Sequence, residues 1–209
     1  GSRKTDLGKN TLQVPARAKD LIELTDVEQL KNLTDEILFL GHGANILFTK
    51  DFDGTIVHVN LKGKKIISEN DEEVVVEVSA GEDWHEFVMW TVQNGWWGLQ
   101  NMAYIPGGVG AAPYGNIAAY GGNQEDVFFK LQAINLKSQK EEEFTKEQCQ
   151  FKYRESIFKH QRDYLITKVF YKLSKKYLGD LNYHSRFESL AEELKKLGKS
   201  PDSPLNIAE

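Results

Sequence analysis

The sequence predicts an α+β protein, and three observations carry that prediction. Short apolar runs of β type fill the stretch from 21 to 78 with one capped helix among them. A stretch from 87 to 124 contains no Asp, Glu, Lys, Arg or His but holds eight of the 17 glycines, the signature of loops that line something. Two further strand-like runs, 127–136 and 164–173, follow it and flank an aromatic-rich segment.

Leu21 to Leu24 is an apolar strand, after which Thr25 and Glu28 have the capping-box spacing that opens a helix through Val27, Leu30 and Leu33. Ile37 to Leu40 is a second strand. A tight Gly-rich turn, Gly41-His42-Gly43-Ala44-Asn45, separates it from its continuation at Ile46 to Phe48, and Asp53-Gly54 signals another turn. Val57, Val59 and Leu61 alternate with Ile56, His58 and Asn60, and Val74 to Val76 follow the charged turn at Asn70-Asp71, so these strands are expected to pair. Asp83 or Gly81 opens a helix that places Trp84, Phe87, Val88 and Thr91 on one face, with Gly95 as its left-handed stop. Trp96 to Asn123 is too rich in Gly and Pro for regular structure. Lys140 to Glu143 is expected as a polar turn between strands. Ser185 and Glu188 repeat the capping-box spacing ahead of Phe187, Leu190, Leu194 and Leu197, with Gly198 as the stop and Lys199 to Glu209 as a tail.

Composition narrows the function. The 209 residues, 40% hydrophobic, suffice for one sizeable core or two small ones. A net charge of −5 argues against a sequence-independent hold on nucleic acid or on an anionic membrane. Cys149 alone cannot form an internal disulfide, which fits a reducing, cytoplasmic setting, and no Cys/His cluster has metal-ligand spacing, so no metal is expected. The five histidines, at 42, 58, 85, 160 and 184, are scattered, and no Gly-x-Ser-x-Gly elbow or His-Glu-x-x-His occurs. Trp96 and Trp97 are expected to pack in a core. Gly1-Ser2 has the look of a tag scar, and no signal peptide follows it.

Three segments can carry chemistry. The 41–45 loop can turn consecutive backbone N–H groups toward a phosphate, or it can be an ordinary tight turn; it has neither the Walker pattern nor a third glycine leading into a helix. In the longer stretch from Asn101 through Ile105-Pro106-Gly107-Gly108-Val109-Gly110-Ala111-Ala112-Pro113, glycines admit close backbone approach to a flat ligand and prolines stiffen the path. Asn116-Ile117 and Tyr120-Gly121 continue that lining. In the third segment Tyr153-Arg154 can hold a carboxylate through the planar, permanently charged guanidinium, or form a plain surface ion pair.

Taken in order, 40–47, 98–101, 105–113, 116–121 and Tyr153-Arg154-Glu155-Ser156-Ile157-Phe158-Lys159 closely resemble the UDP-N-acetylenolpyruvoylglucosamine reductase family over residues from about 10 to about 183. The resemblance implies a PCMH-type FAD-binding fold of two α/β subdomains, divided here as 10–61 and 62–180, with an arm at 1–9 and a helix and tail at 181–209. It implies that Gly41 to Asn45 cradle the FAD pyrophosphate and that Asn101, Ile105 to Pro113, Asn116, Ile117, Tyr120 and Gly121 line the rest of the cofactor. The family reaction moves a hydride from NADPH through the flavin to the enolpyruvyl β-carbon of a UDP-sugar, with a proton delivered to the α-carbon. Tyr153 and Arg154 match the family's Tyr-Arg pair, in which Arg polarises the substrate carboxylate, and Tyr183 matches a tyrosine for the substrate phosphate.

The sequence departs from the family at Ala44, where a serine is usual, and at His42, Gly108, Gly115 and Ala118. The family's third domain, with its serine proton donor and assisting glutamate, has no counterpart before Glu209. The expectation is therefore a monomeric FAD-binding core without efficient native turnover, truncated and built as a compact flavoprotein. A UDP-sugar is not expected to be held without the third domain. Two other readings stay open, a reductase completed by that domain and a cofactor-free remnant.

Overall fold

The computed structural model describes residues 5–6, 17–33, 36–41, 52–176 and 204. In chain order the elements are β1 (Thr5–Asp6), β2 (Arg17–Leu24), a 3-10 helix (Val27–Asn32), β3 (Ile37–Leu40), β4 (Phe52–Val59), β5 (Lys64–Glu69) and β6 (Glu73–Ser79). Helix α1 (Trp84–Gln93), a 3-10 turn (Gln100–Met102), α2 (Ala111–Gly115), β7 (Ala118–Ala119) and β8 (Gly122–Asn123) form the middle. Then come α3 (Gln124–Val127), β9 (Phe128–Asn135), β10 (Lys140–Thr145), α4 (Lys146–Cys149), a 3-10 turn (Ile157–Lys159) and β11 (Tyr164–Ser174).

Two sheets organise these elements. The first runs β1-β2-β4-β3, with β4 parallel to both β2 and β3. Thr55, Ile56, Val57 and Val59 of β4 are all buried, so side chains on both faces of this central parallel strand are covered. The second sheet is antiparallel throughout, in the order β10-β9-β11-β6-β5. Its edge strand β5 is exposed along its length and carries two lysines and a register shift between Ile66 and Ser68, features that blunt an open edge. The strands around Val57 and Val74 therefore do not pair with each other: β4 takes parallel partners in one sheet, and β6 pairs with β5 and β11 in the other.

Helix α1 covers the second sheet. Asp83 caps it by accepting from the Glu86 amide, and Trp84, Phe87, Val88, Thr91 and Val92 are buried on one face against Val74, Val76, Leu131 and Tyr171. Gly95, at φ +75°, follows the C-cap Asn94. Trp96 and Trp97 are buried, and Trp97 pairs with Ser174 at the end of β11. A second cluster, with Leu24, Val57, Val59, Ala80, Ile134 and Leu165, takes residues from both sheets.

Several local expectations are corrected. The capping box lies one residue later than Thr25 and Glu28: Asp26 accepts from the Glu28 amide, Gln29 reaches back to the Asp26 amide, and the helix is 3-10. Asp53-Gly54 lies inside β4, where a Cβ on Gly54 would come 2.4 Å from the Glu36 carbonyl oxygen, so this glycine serves close approach and not a turn. Lys140 to Glu143 belong to strand β10; the turn precedes them, where Asn135 Oδ1 accepts from the Lys137 and Ser138 amides and Gln139 takes φ +57°. The stretch 96–123 contains a 3-10 turn, a helix and a small hairpin, with Pro113 in the first turn of α2, where its missing N–H costs nothing. The 46–48 strand and the helix expected from Ser185 lie outside the described residues. Among the described residues no helix is long and apolar enough to cross a membrane, and no group of His, Cys, Asp and Glu is placed to hold a metal ion.

Candidate functional site

The turn joining β6 to α1 acts as a clamp. It is itself fixed, because the Ala80 amide donates to the Thr167 carbonyl at 2.8 Å and the Gly81 amide to the Leu61 carbonyl at 2.9 Å. Onto it the 107–110 segment docks antiparallel: Trp84 N–H donates to the Gly107 carbonyl at 3.0 Å, Val109 N–H to Glu82 at 2.8 Å and Gly110 N–H to Ala80 at 2.9 Å. Val109 is fully buried by this docking. Gly107 sits at φ +133° with nothing within 4 Å of where a Cβ would stand, which leaves its backbone open on that side.

The next turn is drawn in from the same segment. Ala111 and Ala112 amides donate to Gly108 and Val109 as α2 begins, and Asn116 ends that helix in the left-handed region at φ +42°. Tyr120 and Gly121, at φ +49° and +79°, form the two-residue loop between β7 and β8, the sign pattern of a type I′ hairpin turn. Asn101 Nδ2 donates to the Tyr120 carbonyl at 3.0 Å, so the 3-10 turn and this hairpin meet. Asn101 Oδ1 is buried with no hydrogen-bond partner among the described residues.

Tyr153 and Arg154 form the tip of a tight turn. Lys152 and Glu155 exchange both backbone hydrogen bonds, at 3.1 and 3.0 Å, and Arg154 takes φ +52°. Arg154 Nη2 donates to the Ala118 carbonyl at 3.1 Å, and Lys159 Nζ donates to the Arg154 carbonyl. Tyr153 is 90% exposed. Ser156 Oγ donates to the Tyr114 carbonyl at 2.7 Å. The structure thus ties Asn101 and the Tyr153-Arg154 pair to the 114–121 stretch, whereas Val109, Ala112 and Pro113, expected to line the cofactor, are buried in the core. Gly41 is exposed at the end of β3, with open space about it. His42, Gly43, Ala44, Asn45 and Tyr183 lie outside the described residues.

Sequence reasoning missed His85, Gln124 and Ser156. His85 stacks on Tyr104, ring centroids 4.3 Å apart, and its Nδ1 accepts from the Tyr104 amide at 3.1 Å, which pins the entry to the glycine segment. The i, i+1 position of His85 beside the helix-opening Trp84 was the only signal available. Gln124, bonded to Asn116 and Tyr171, has no local signature, and Ser156 stands in the segment that carries the resemblance while its bond to Tyr114 joins residues far apart in sequence. A cleft of about 310 Å3 is lined by Glu125, Lys146, Glu147, Gln150 and Phe151. Burial pushes the thiol of the neighbouring, fully buried Cys149 up to about 12, helped by the Glu147 charge, which disfavours the thiolate.

A family model described as FAD binding domain matches residues 14–138, a span that includes the clamp and the hairpin. The UDP-N-acetylenolpyruvoylglucosamine reductase of Flavobacterium johnsoniae is 47% identical over 174 residues, covering 80% of this chain and 52% of the relative. The enzyme of the same name from Burkholderia orbicola is 36% identical over 203 residues, 93% of this chain and 57% of the relative. The chain spans about half the length of these curated relatives. The crystal structure of UDP-N-acetylenolpyruvylglucosamine reductase from Thermus caldophilus superposes with a TM-score of 0.61 at 23% identity, over 82% of this chain and 62% of that one. A solvent-stable cholesterol oxidase superposes with a TM-score of 0.60 at 13% identity, over 82% and 37%. At such identities the two structures share the fold.

Proposed function

The chain belongs to the FAD binding domain family, and from that membership we propose that it is the flavin-holding part of an enzyme that reduces UDP-N-acetylenolpyruvoylglucosamine with electrons from NADPH. Its fold is the α+β, PCMH-type FAD-binding fold, and its cofactor is FAD. The described residues fit a flat, uncharged-ring cofactor. Asn101 Oδ1 is an unpaired buried acceptor, Gly107 leaves its backbone open, and no charged side chain occurs from 87 to 124. Asn101, the Gly107 to Gly110 backbone and the Tyr120-Gly121 turn would hold it, with Gly41 to Asn45 taking the pyrophosphate. FAD, when bound, supplies two-electron transfer between NADPH and the substrate.

Arg154 contributes a fixed positive charge. A guanidinium stays protonated throughout the working pH range and can bind a carboxylate with its remaining donors while one donor holds Ala118. Placed against an enolpyruvyl carboxylate, it stabilises the negative charge that develops toward that group as the double bond is reduced. Tyr153, extended into solvent beside it, presents a hydroxyl to the same substrate. The division of the flavin-holding part at residues 61 and 62 belongs to the same proposal.

The observation that carries this reading is the Arg154 hydrogen bond to Ala118, which sets a permanent cation at the rim of an uncharged, glycine-rich lining. The test loads the 209-residue protein with FAD, removes the excess, and titrates the UDP-sugar to high concentration, where contacts around Arg154 register without those a third domain would add, while following the flavin spectrum. Native protein and Arg154→Ala should both retain flavin. The variant should need roughly 10- to 100-fold more substrate for the same spectral change, the scale of one lost charge-assisted hydrogen bond. No retained flavin, or identical titrations, would overturn the proposal.

A further inference from the structure

We infer that Asn116 is a positioning residue for the Tyr153-Arg154 turn, which it holds through the hydrogen bond from its side chain to the Lys152 carbonyl. Asn116 is 2% exposed, and its side chain is engaged by protein at three points. Nδ2 donates to the Lys152 carbonyl at 2.9 Å and to Glu125 Oε2 at 3.1 Å, while Oδ1 accepts from Gln124 Nε2 at 2.9 Å. Gln124, itself fully buried, accepts in turn from the hydroxyl of Tyr171 at 3.3 Å. Tyr171 belongs to β11, an interior strand of the five-stranded sheet. A continuous line of hydrogen bonds, buried or part-buried, therefore runs from an interior strand to one carbonyl of an exposed turn.

Hydrogen bonds, not packing, hold that turn. Lys152, Tyr153 and Arg154 are all exposed, so no apolar burial fixes their position. Lys152 is its pivot, because the Lys152 carbonyl also closes the turn by accepting from the Glu155 amide. Two further tethers, Ser156 to Tyr114 and Arg154 to Ala118, attach to the same 114–118 stretch. The glycine-rich lining and the arginine are in this way one mechanical unit. Asn116 is also suited to the backbone it occupies, since asparagine tolerates the left-handed region better than most residues.

The consequence for substrate binding rests on the reading of Arg154 above, whereas the effect on the turn does not. The experiment measures hydrogen exchange of the Lys152 and Glu155 amides in the FAD-loaded protein, with the β11 amides as internal reference. Asn116→Gly, which accepts the same backbone angles and removes only the side chain, should speed exchange in the turn by roughly tenfold and leave β11 unchanged. The substrate titration should weaken along with the turn. Should Asn116→Gly fail to fold, Asn116→Asp keeps the acceptor for Gln124 and removes the donor to Lys152, and the same acceleration is expected. Unchanged turn exchange, acceleration spread equally through β11, or flavin loss with an unaltered turn would each overturn the inference. If native protein shows no response to the UDP-sugar but the turn loosens as expected, the reading of Arg154 fails and the positioning role stands.

Discussion

A methyl group at position 110 would sit 2.8 Å from the Ala80 Cβ, while the Gly110 amide is held to the Ala80 carbonyl at 2.9 Å. The hydrogen bond and the methyl group cannot both be accommodated without moving one strand of the clamp. Gly110→Ala should therefore cost about 1–3 kcal/mol, the usual penalty for overpacking, and weaken flavin retention because the clamp positions the lining. Gly115 is the natural control. Nothing lies within 4 Å of its Cβ position and it ends a helix, so Gly115→Ala should change stability by less than about 0.5 kcal/mol. Thermal melts of both variants, with and without FAD, check this. Equal effects would mean that the contact with Ala80 does not hold the clamp. The sequence marks both glycines only as members of one rich stretch; their different duties depend on Ala80, thirty residues away for one and absent for the other.

Among the elements, α1 was legible because every signal that makes it is local. Asp83, the 84/87/88/91 face and Gly95 all lie within one short window, and the structure uses each of them. The cap can be tested alone. Asp83→Ala removes the acceptor for the Glu86 amide but leaves the backbone bridge from position 83 to Gly108, so about 1 kcal/mol should be lost, seen as a lower denaturant midpoint at unchanged slope. A change in slope would show that the clamp had opened as well. Elements whose identity depends on partners were less legible. Thr25/Glu28 and Asp26/Gln29 offer the same spacing, and the choice falls to Asp26 because Leu24 is still bound in β2, where its carbonyl accepts from Asn60. The charged run from Lys140 looks like a turn, yet hairpin pairing with β9 makes it an edge strand, with Phe144 supplying the burial. The candidate site divides in the same way. Its charge-free composition and the Tyr-Arg pair stand in the sequence, whereas the 80–84 clamp and Gln124 emerge only when distant segments meet.

At the scale of the whole molecule, two proton-bearing groups lie in one core and set its response to alkali. Cys149 and Tyr171 are both 0% exposed. Burial, followed by the Glu147 charge, pushes the thiol up from its ordinary 9.0 to about 12. Burial, followed by Cys149, raises the phenol well above its ordinary 10.0. Both groups are neutral in the folded chain and ionise earlier in the unfolded one. As pH rises past about 9 the unfolded state therefore releases protons that the folded state keeps, and stability must fall; below that pH both states are protonated and the contribution is complete. Each group contributes a slope of about 1.4 kcal/mol per pH unit between its unfolded and folded values. Urea midpoints should be level near neutrality and decline above about pH 9. Cys149→Ala will lower stability at neutral pH by leaving a small cavity, but its decline should be shallower, because one of the two titrating groups is gone. Native and variant curves that fall in parallel between pH 9 and 11 would show that the thiol is already ionised in the folded core, contrary to its burial.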